Sequence, residues 1–219
     1  MNLLVDALPK TVDVDGIEYP IRTDFRVSVL FEMMMRDDEL SDTEKIINAL
    51  QLYYSRIPKD PMQAIDKILW FYRCGKDLSK KNTENTINMS EDSKEDREGA
   101  SDEDNDTSAV QQIYSFDYDD EYIYAAFMEQ YGIDLQDVQH LHWWKFHALF
   151  KSLKEDCEFV KIMGYRSIKV TGKMSKEQRQ FYTKMKKIHA LPVSDQEQRE
   201  SDELVNALMN GGDLSDVLH

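Results

Sequence analysis

The stretch Phe116–Leu153, FDYDDEYIYAAFMEQYGIDLQDVQHLHWWKFHALFKSL, holds the densest apolar and aromatic signal in the chain and limits what the rest can be built around. Its spacing predicts two helices meeting at a glycine. The first spans about Asp119–Tyr131: Tyr122, Ala125, Ala126 and Met128 or Glu129 recur at helical intervals, and Asp119, Asp120 and Glu121 suit the positive end of a helix dipole. Gly132 can take the left-handed conformation that ends a helix, with Ile133 folding back on the last turn. The second helix is expected to begin near Asp134 to Asp137 and to carry Val138, Leu141, Trp143, Trp144, Phe146, Leu149, Phe150 and Leu153, continuing through Cys157, Val160 and Met163 to Gly164. So little polar face predicts a central post packed against several neighbours. Trp143 and Trp144 point to sides about 100° apart.

Ahead of this post the chain shows one hairpin and three helices. Thr11 to Ile21 alternates Val12, Val14, Ile17, Tyr19 and Ile21 with polar residues around Asp15-Gly16, a strong hairpin signal, and Pro20 puts the second strand at an edge or ends it. Thr23-Asp24 can cap a helix from Phe25 to about Arg36 with Val27, Leu30, Phe31 and Met34 on one face. Ser41 and Glu44 have capping-box spacing before a helix to about Arg56 whose stripe is Ile46, Ile47, Leu50, Tyr53 and Tyr54. Asp60-Pro61 opens a third helix with Ile65, Ile68, Leu69 and Tyr72, stopped by Gly75. Beyond the post, Ser175 with Gln178 opens a helix to about His189, with Phe181, Tyr182, Met185 and Ile188 on one side and Lys184, Lys186 and Lys187 on the other.

Between these groups the composition changes. Residues 76–112 carry eleven acids against five bases and few large apolar side chains, which cannot offset chain entropy, so a disordered acidic insertion is expected there. From Ser194 to the end the chain is again acidic, seven carboxylates against Arg199, with Leu204, Leu208 and Met209 in a short amphipathic pattern. The predicted organisation is one mainly α domain over 1–193, with a β-hairpin at 11–21 and the insertion at 76–112, followed by an acidic tail, 194–219, with a short helix.

A formal charge of −15 opposes phosphate recognition, so nucleic acid is excluded as a partner. Cys74 and Cys157 lie far apart without metal-site spacing. MNLLVDALPK lacks the basic and long apolar regions of a signal peptide, and no window nears 18 apolar residues, so neither secretion nor a membrane is expected. His140, His142 and His147 cluster on the post, but helical metal pairs sit at i, i+3 or i, i+4, and these are two, five and seven apart. No Gly-rich phosphate loop, G-x-S-x-G or Cys/His signature occurs. The reading is of a chain with no catalytic residue, no metal and no cofactor.

The segments VDVDGIEYPIRTDFR, YYSRIPKDP leading to IDKILWFYRCGK, the acidic insertion, the FDY…YGIDL…HWW run and the following IMGYR together resemble the bacteriophage gene-product-fifteen family of Gram-positive tailed phages and prophages, over about Val12 to Pro192. Members resemble tail assembly chaperones, small acidic helical proteins. The resemblance implies a mainly helical fold, no enzymatic activity, action in the cytoplasm of the bacterial host, and a role in holding the tape measure protein soluble during tail morphogenesis. Tail tube protein and a second copy of the chain are further candidate partners. The alternative is a virion structural protein at the head–tail connection or another phage morphogenesis protein.

Three consecutive methionines, Met33, Met34 and Met35, cannot all face one core, and methionine adapts to varied apolar surfaces. With the aromatic surface near Trp143 and Trp144 they are the expected partner-binding residues: the post forms a wall of that groove if one tryptophan faces outward, and if both are buried the surface is to be sought in the acidic insertion or the tail.

Overall fold

A computed structural model describes residues 2–76 and 112–192. Asp15 and Gly16 turn the chain with φ of 54° and 72°. Two left-handed residues in succession match the twist of antiparallel strands, which is why this dipeptide makes hairpins. Strands β1 (Thr11–Val14) and β2 (Ile17–Pro20) pair with Val12 opposite Tyr19 and Val14 opposite Ile17. Val12, Val14 and Tyr19 are buried, and Pro20, which has no N–H to give, stands at the last pair opposite Thr11.

Seven helices follow among the described residues: α1 (Phe25–Met35), α2 (Asp42–Tyr53), α3 (Pro61–Tyr72), α4 (Asp120–Tyr131), α5 (Trp143–Lys151), α6 (Glu158–Ser167) and α7 (Lys176–Ile188). The class is the one read from the sequence, mainly helical with an N-terminal hairpin. Local chemistry sets most ends. Asp60 accepts the Gln63 N–H at 3.0 Å with Pro61 in the first turn of α3. Ser41 and Glu44 form their reciprocal bonds ahead of α2, as do Ser175 and Gln178 ahead of α7. Gly132 sits at φ 63°, and the N–H groups of Gly132 and Ile133 close on the Met128 and Phe127 carbonyls to end α4.

The central post departs from its prediction at both ends. Its helix starts at Trp143 rather than near Asp134 to Asp137. Asp134 instead accepts the N–H groups of Gln136 and Asp137 in a tight turn. Leu141 to Trp143 then run extended against Thr23 to Phe25: Phe25 N–H reaches the Leu141 carbonyl at 2.8 Å, Trp143 N–H the Thr23 carbonyl at 2.7 Å, and Leu141 N–H the Asp24 carboxylate at 3.1 Å. Backbone donors committed to another strand cannot also turn helical. The post stops at Lys151, and Glu158–Ser167 is a separate helix with Gly164 inside it rather than at its end.

Two helical faces also differ from expectation. The buried side of α1 is Phe25, Ser28, Phe31 and Glu32, while Leu30 is 51% exposed and Val27 and Met34 are half-buried. The rotation follows the polar partners: the Ser28 hydroxyl meets the Tyr53 hydroxyl at 2.8 Å, and Glu32 receives Arg36 at 2.7 Å. On α2, Ala49, Leu50 and Tyr53 are buried, whereas Ile46 and Ile47 are 40% and 46% exposed.

Where the sequence suggests one domain over 1–193, the described chain gathers into two compact units, each assembled from separated stretches. The first takes the described parts of 1–28, 49–112 and 140–149, and its core joins the hairpin to α3 and α5 through Val14, Tyr53, Ile68, Phe71 and Phe146. The second takes the described parts of 29–48, 113–139 and 150–219, with Ile123, Phe127, Phe159 and Ile162 at its centre and α6 packed against α4 and α7. The expected insertion at 76–112, apart from its two end residues, and the tail at 194–219 lie outside the described residues. No helix among the described residues is long and apolar enough to cross a membrane.

Candidate functional site

Trp143 and Trp144 sit where α3 ends. The last turn of a helix leaves carbonyls short of intrahelical donors, and here two indoles add theirs: Trp144 Nε1 joins the Cys74 N–H on the Phe71 carbonyl, at 2.7 Å, and Trp143 Nε1 donates to the Tyr72 carbonyl at 2.8 Å. The rings pack as they bond. Trp143 stacks on Tyr72 at 5.4 Å and on Phe146 at 5.7 Å, and Trp144 meets Trp70 edge-on at 5.6 Å. Gly75, at φ 71°, lies beneath this pair, and a Cβ there would stand 2.9 Å from Trp144 Cη2. The tryptophans are 2% and 4% exposed, so the outward-facing tryptophan on which the aromatic half of the expected groove depended is absent. Their polar tips and faces are spent on capping and packing.

His142 completes the node. Its Nδ1 accepts the Trp144 N–H at 3.1 Å, which places the ring proton on Nε2, 3.1 Å from the Pro9 carbonyl. Burial first, with His140, Lys145 and Lys10 reinforcing it, pushes the imidazole below its ordinary value against the opposing pull of the Pro9 carbonyl. His140 Nε2 lies 3.0 Å from the Thr23 hydroxyl, and the His147 ring is tilted against Trp143. No cluster of three His, Cys, Asp or Glu side chains among the described residues could hold a metal ion.

In the second unit a buried ion pair centres on Arg166. Its guanidinium donates to both Asp119 oxygens at 2.6 and 2.8 Å, to the Ile113 carbonyl at 3.1 Å and to the His189 carbonyl at 2.6 Å. Asp119 also accepts the Ser115 N–H at 2.9 Å, and both members of the pair are buried. One fork thus ties the start of α4 to the end of α7. Tyr165 beside it stacks on His189 and meets Phe181 edge-on. A second cluster joins Glu32, Arg36 and Tyr114: Arg36 reaches Glu32 at 2.7 Å and the Tyr114 carbonyl at 3.2 Å, and lies over the Tyr114 ring. Burial, then the Glu32 charge, pushes the Tyr114 hydroxyl well above its ordinary value.

Among the side chains that this unit leaves in solvent are several large apolar ones. Met33 and Met34 are half-buried and Met35 is 44% exposed, joined by Leu30 on α1 and by Ile46 and Ile47 on α2. Leu30, Met33 and Met34 share one helical side by their spacing. The three methionines belong to the second unit and the tryptophans to the first. Leu30, Ile46 and Ile47 are the residues that sequence reading missed, having been assigned to core stripes. The one available signal was that adjacent isoleucines, about 100° apart, widen a stripe that Leu50 and Tyr53 already fill.

The residues that lend the chain its resemblance are therefore the ones that hold it together: the HWW run caps α3, FDYD supplies Asp119, and GYR supplies Tyr165 and Arg166. No curated protein and no solved structure matches the chain. Residues 4–191 match the family model described as Bacteriophage Gp15 protein. The chain belongs to that family and is a phage structural or morphogenesis protein.

Proposed function

We propose that this protein is a tail assembly chaperone that binds the tape measure protein and keeps it soluble during tail morphogenesis. The observation that supports this reading is the set of solvent-facing apolar side chains on α1 and α2, Leu30, Met35, Ile46 and Ile47, on a chain of net charge −15. Such side chains suit the apolar stripe of a helical client, and methionine tolerates variation in the stripe it meets. High negative charge keeps loaded copies apart. On this reading the client surface is Met33 to Met35 with Leu30, Ile46 and Ile47, and the buried Trp143 and Trp144 take no direct part. The protein catalyses nothing, requires no metal or cofactor, and works in the host cytoplasm.

Co-expression of the tape measure protein with Met35→Asp/Ile47→Asp tests it. Both positions are exposed, so far-UV circular dichroism of the variant should match the parent. The soluble fraction of client should fall severalfold; undiminished solubility removes the reading. Mass spectrometry of purified virions addresses the alternative of a head–tail connection protein, which requires the chain in the particle.

A further inference from the structure

Helix α7 is strongly amphipathic, yet none of its residues is buried. Along one side run Lys176, Arg179, Gln180, Thr183, Lys184 and Lys187, all exposed and spaced as a continuous stripe. Four of the six are cations, spread over about 16 Å of helix. In a chain that carries 42 acids against 27 bases, such a stripe sits within a field of opposite sign.

The sequence leaving this helix carries the matching charge. The described chain runs past Ile188 to Pro192, and the next stretch is Asp195–Glu203, DQEQRESDE, with five carboxylates and one arginine. We propose that Asp195–Glu203 docks along the Lys176–Lys187 stripe of its own chain. Reach permits it: six residues, 189 to 194, separate the helix end from Asp195, enough to reverse direction, and nine residues cover about 14 Å if helical and about 30 Å if extended. A short tether raises the effective concentration of the acidic stretch at the stripe to about the millimolar range, so individually weak surface pairs suffice. The other acidic run, 77–111, lies farther along the chain and closes a longer loop to reach the same face. Docking neutralises the stripe and leaves it closed to other anions. The inference is independent of the chaperone reading.

Zero-length carbodiimide cross-linking of the full-length protein at low salt, on a mixture of unlabelled and nitrogen-15-labelled chains, reads it directly. Links within one isotope population between Lys176, Lys184 or Lys187 and the carboxylates of Asp195–Glu203 are expected, and 0.5 M salt should abolish them, since exposed pairs are screened within about 3 to 5 Å at that strength. The exposed Lys161–Glu158 pair, 3.8 Å apart, serves as the internal positive control. Mixed-isotope links alone would mean docking onto a second copy, and links to 77–111 alone a different occupant; either result, or no link beyond the control, overturns the proposal. A second arm uses Arg199, the one lysine or arginine in 194–219. Tryptic cleavage after Arg199 should quicken about fivefold in Arg179→Glu/Lys184→Glu/Lys187→Glu, three exposed positions whose change leaves the fold intact. An unchanged rate also overturns it.

Discussion

Replacing Asp119 by Asn keeps the shape of the side chain and removes the charge that Arg166 is held against. In the folded protein the guanidinium is 8% exposed and the carboxylate 1%, so water cannot stand in for the lost partner. The Asn amide can accept on one side only. Its NH2 group faces an Arg166 N–H in either orientation, and in one of them the Ser115 N–H as well, all of which are donors at 2.6 to 2.9 Å in the parent. Breaking a buried pair by removing one member costs about 3–5 kcal/mol, because the surviving charge stays desolvated. Set against the roughly 5–15 kcal/mol that holds a domain folded, this is a large share. At about 2–4 °C per kcal/mol for a chain of this size, the melting temperature should fall by roughly 6–20 °C. Urea and thermal melts followed by circular dichroism give the magnitude. Hydrogen exchange shows whether protection falls first in 113–139 and 150–192, the stretches that Arg166 ties. The cause is isolated by adding Arg166→Met. If the cost arises from an uncompensated charge, the double variant should lose less than the two single losses combined by about 1–3 kcal/mol, although the Ile113 and His189 carbonyls then lack their donor. A loss below about 1 kcal/mol in Asp119→Asn, or strict additivity in the cycle, would refute the assignment of this pair as the tie of the second unit.

Gly75→Ala should cost about 2–4 kcal/mol in urea melts: a left-handed backbone at φ 71° costs alanine about 1–2, and its Cβ would stand 2.9 Å from Trp144. Gly132→Ala, at φ 63° with open space around it, supplies the control, and its loss should stop at the backbone share of about 1–2 kcal/mol. For His142, burial lowers the folded value below the ordinary 6.5, so the unfolded chain takes up the proton first as the pH drops. Its contribution to stability is complete above pH 6.5, is lost as the pH falls from there through the lowered folded value, and levels off below. Urea midpoints at pH 7.5 and 5.5 should therefore differ more in the parent than in His142→Gln; equal differences would show that this ring does not carry the pH dependence.

Features written in local chemistry could be read from the sequence. Asp15-Gly16, Asp60-Pro61, Gly132 and the Ser175–Gln178 pair act through their own backbone and a neighbour three or four residues away, and each appears in the fold as spacing predicts. The start of α5 could not be read. Val138 and Leu141 fit a helical stripe, yet Leu141 to Trp143 give their backbone bonds to Thr23, Asp24 and Phe25, with Leu141 and Asp24 lying 117 positions apart. Long-range pairing of this kind overrides a periodic pattern. Likewise nothing local shows that Ser28 would meet Tyr53, which is what turns Leu30 outward. The methionine part of the candidate surface was legible because three consecutive side chains cannot share one face; the isoleucine part was not.

The buried motifs and the exposed apolar residues bear on the proposed function from opposite sides. The HWW run and the GYR arginine carry much of the resemblance, and each donor there is already used within the protein. A client that engaged Trp143 or Trp144 would have to uncover two capped carbonyls of α3 and the rings stacked on them. Leu30, Met35, Ile46 and Ile47 present the reverse situation: contact with an apolar stripe removes water from surface already exposed and breaks no bond of the fold. A single exposed leucine is ordinary in a soluble protein. Four large apolar residues on two consecutive helices, on a chain whose net charge disfavours self-association, make binding through these side chains the less costly route for a partner of helical, apolar character.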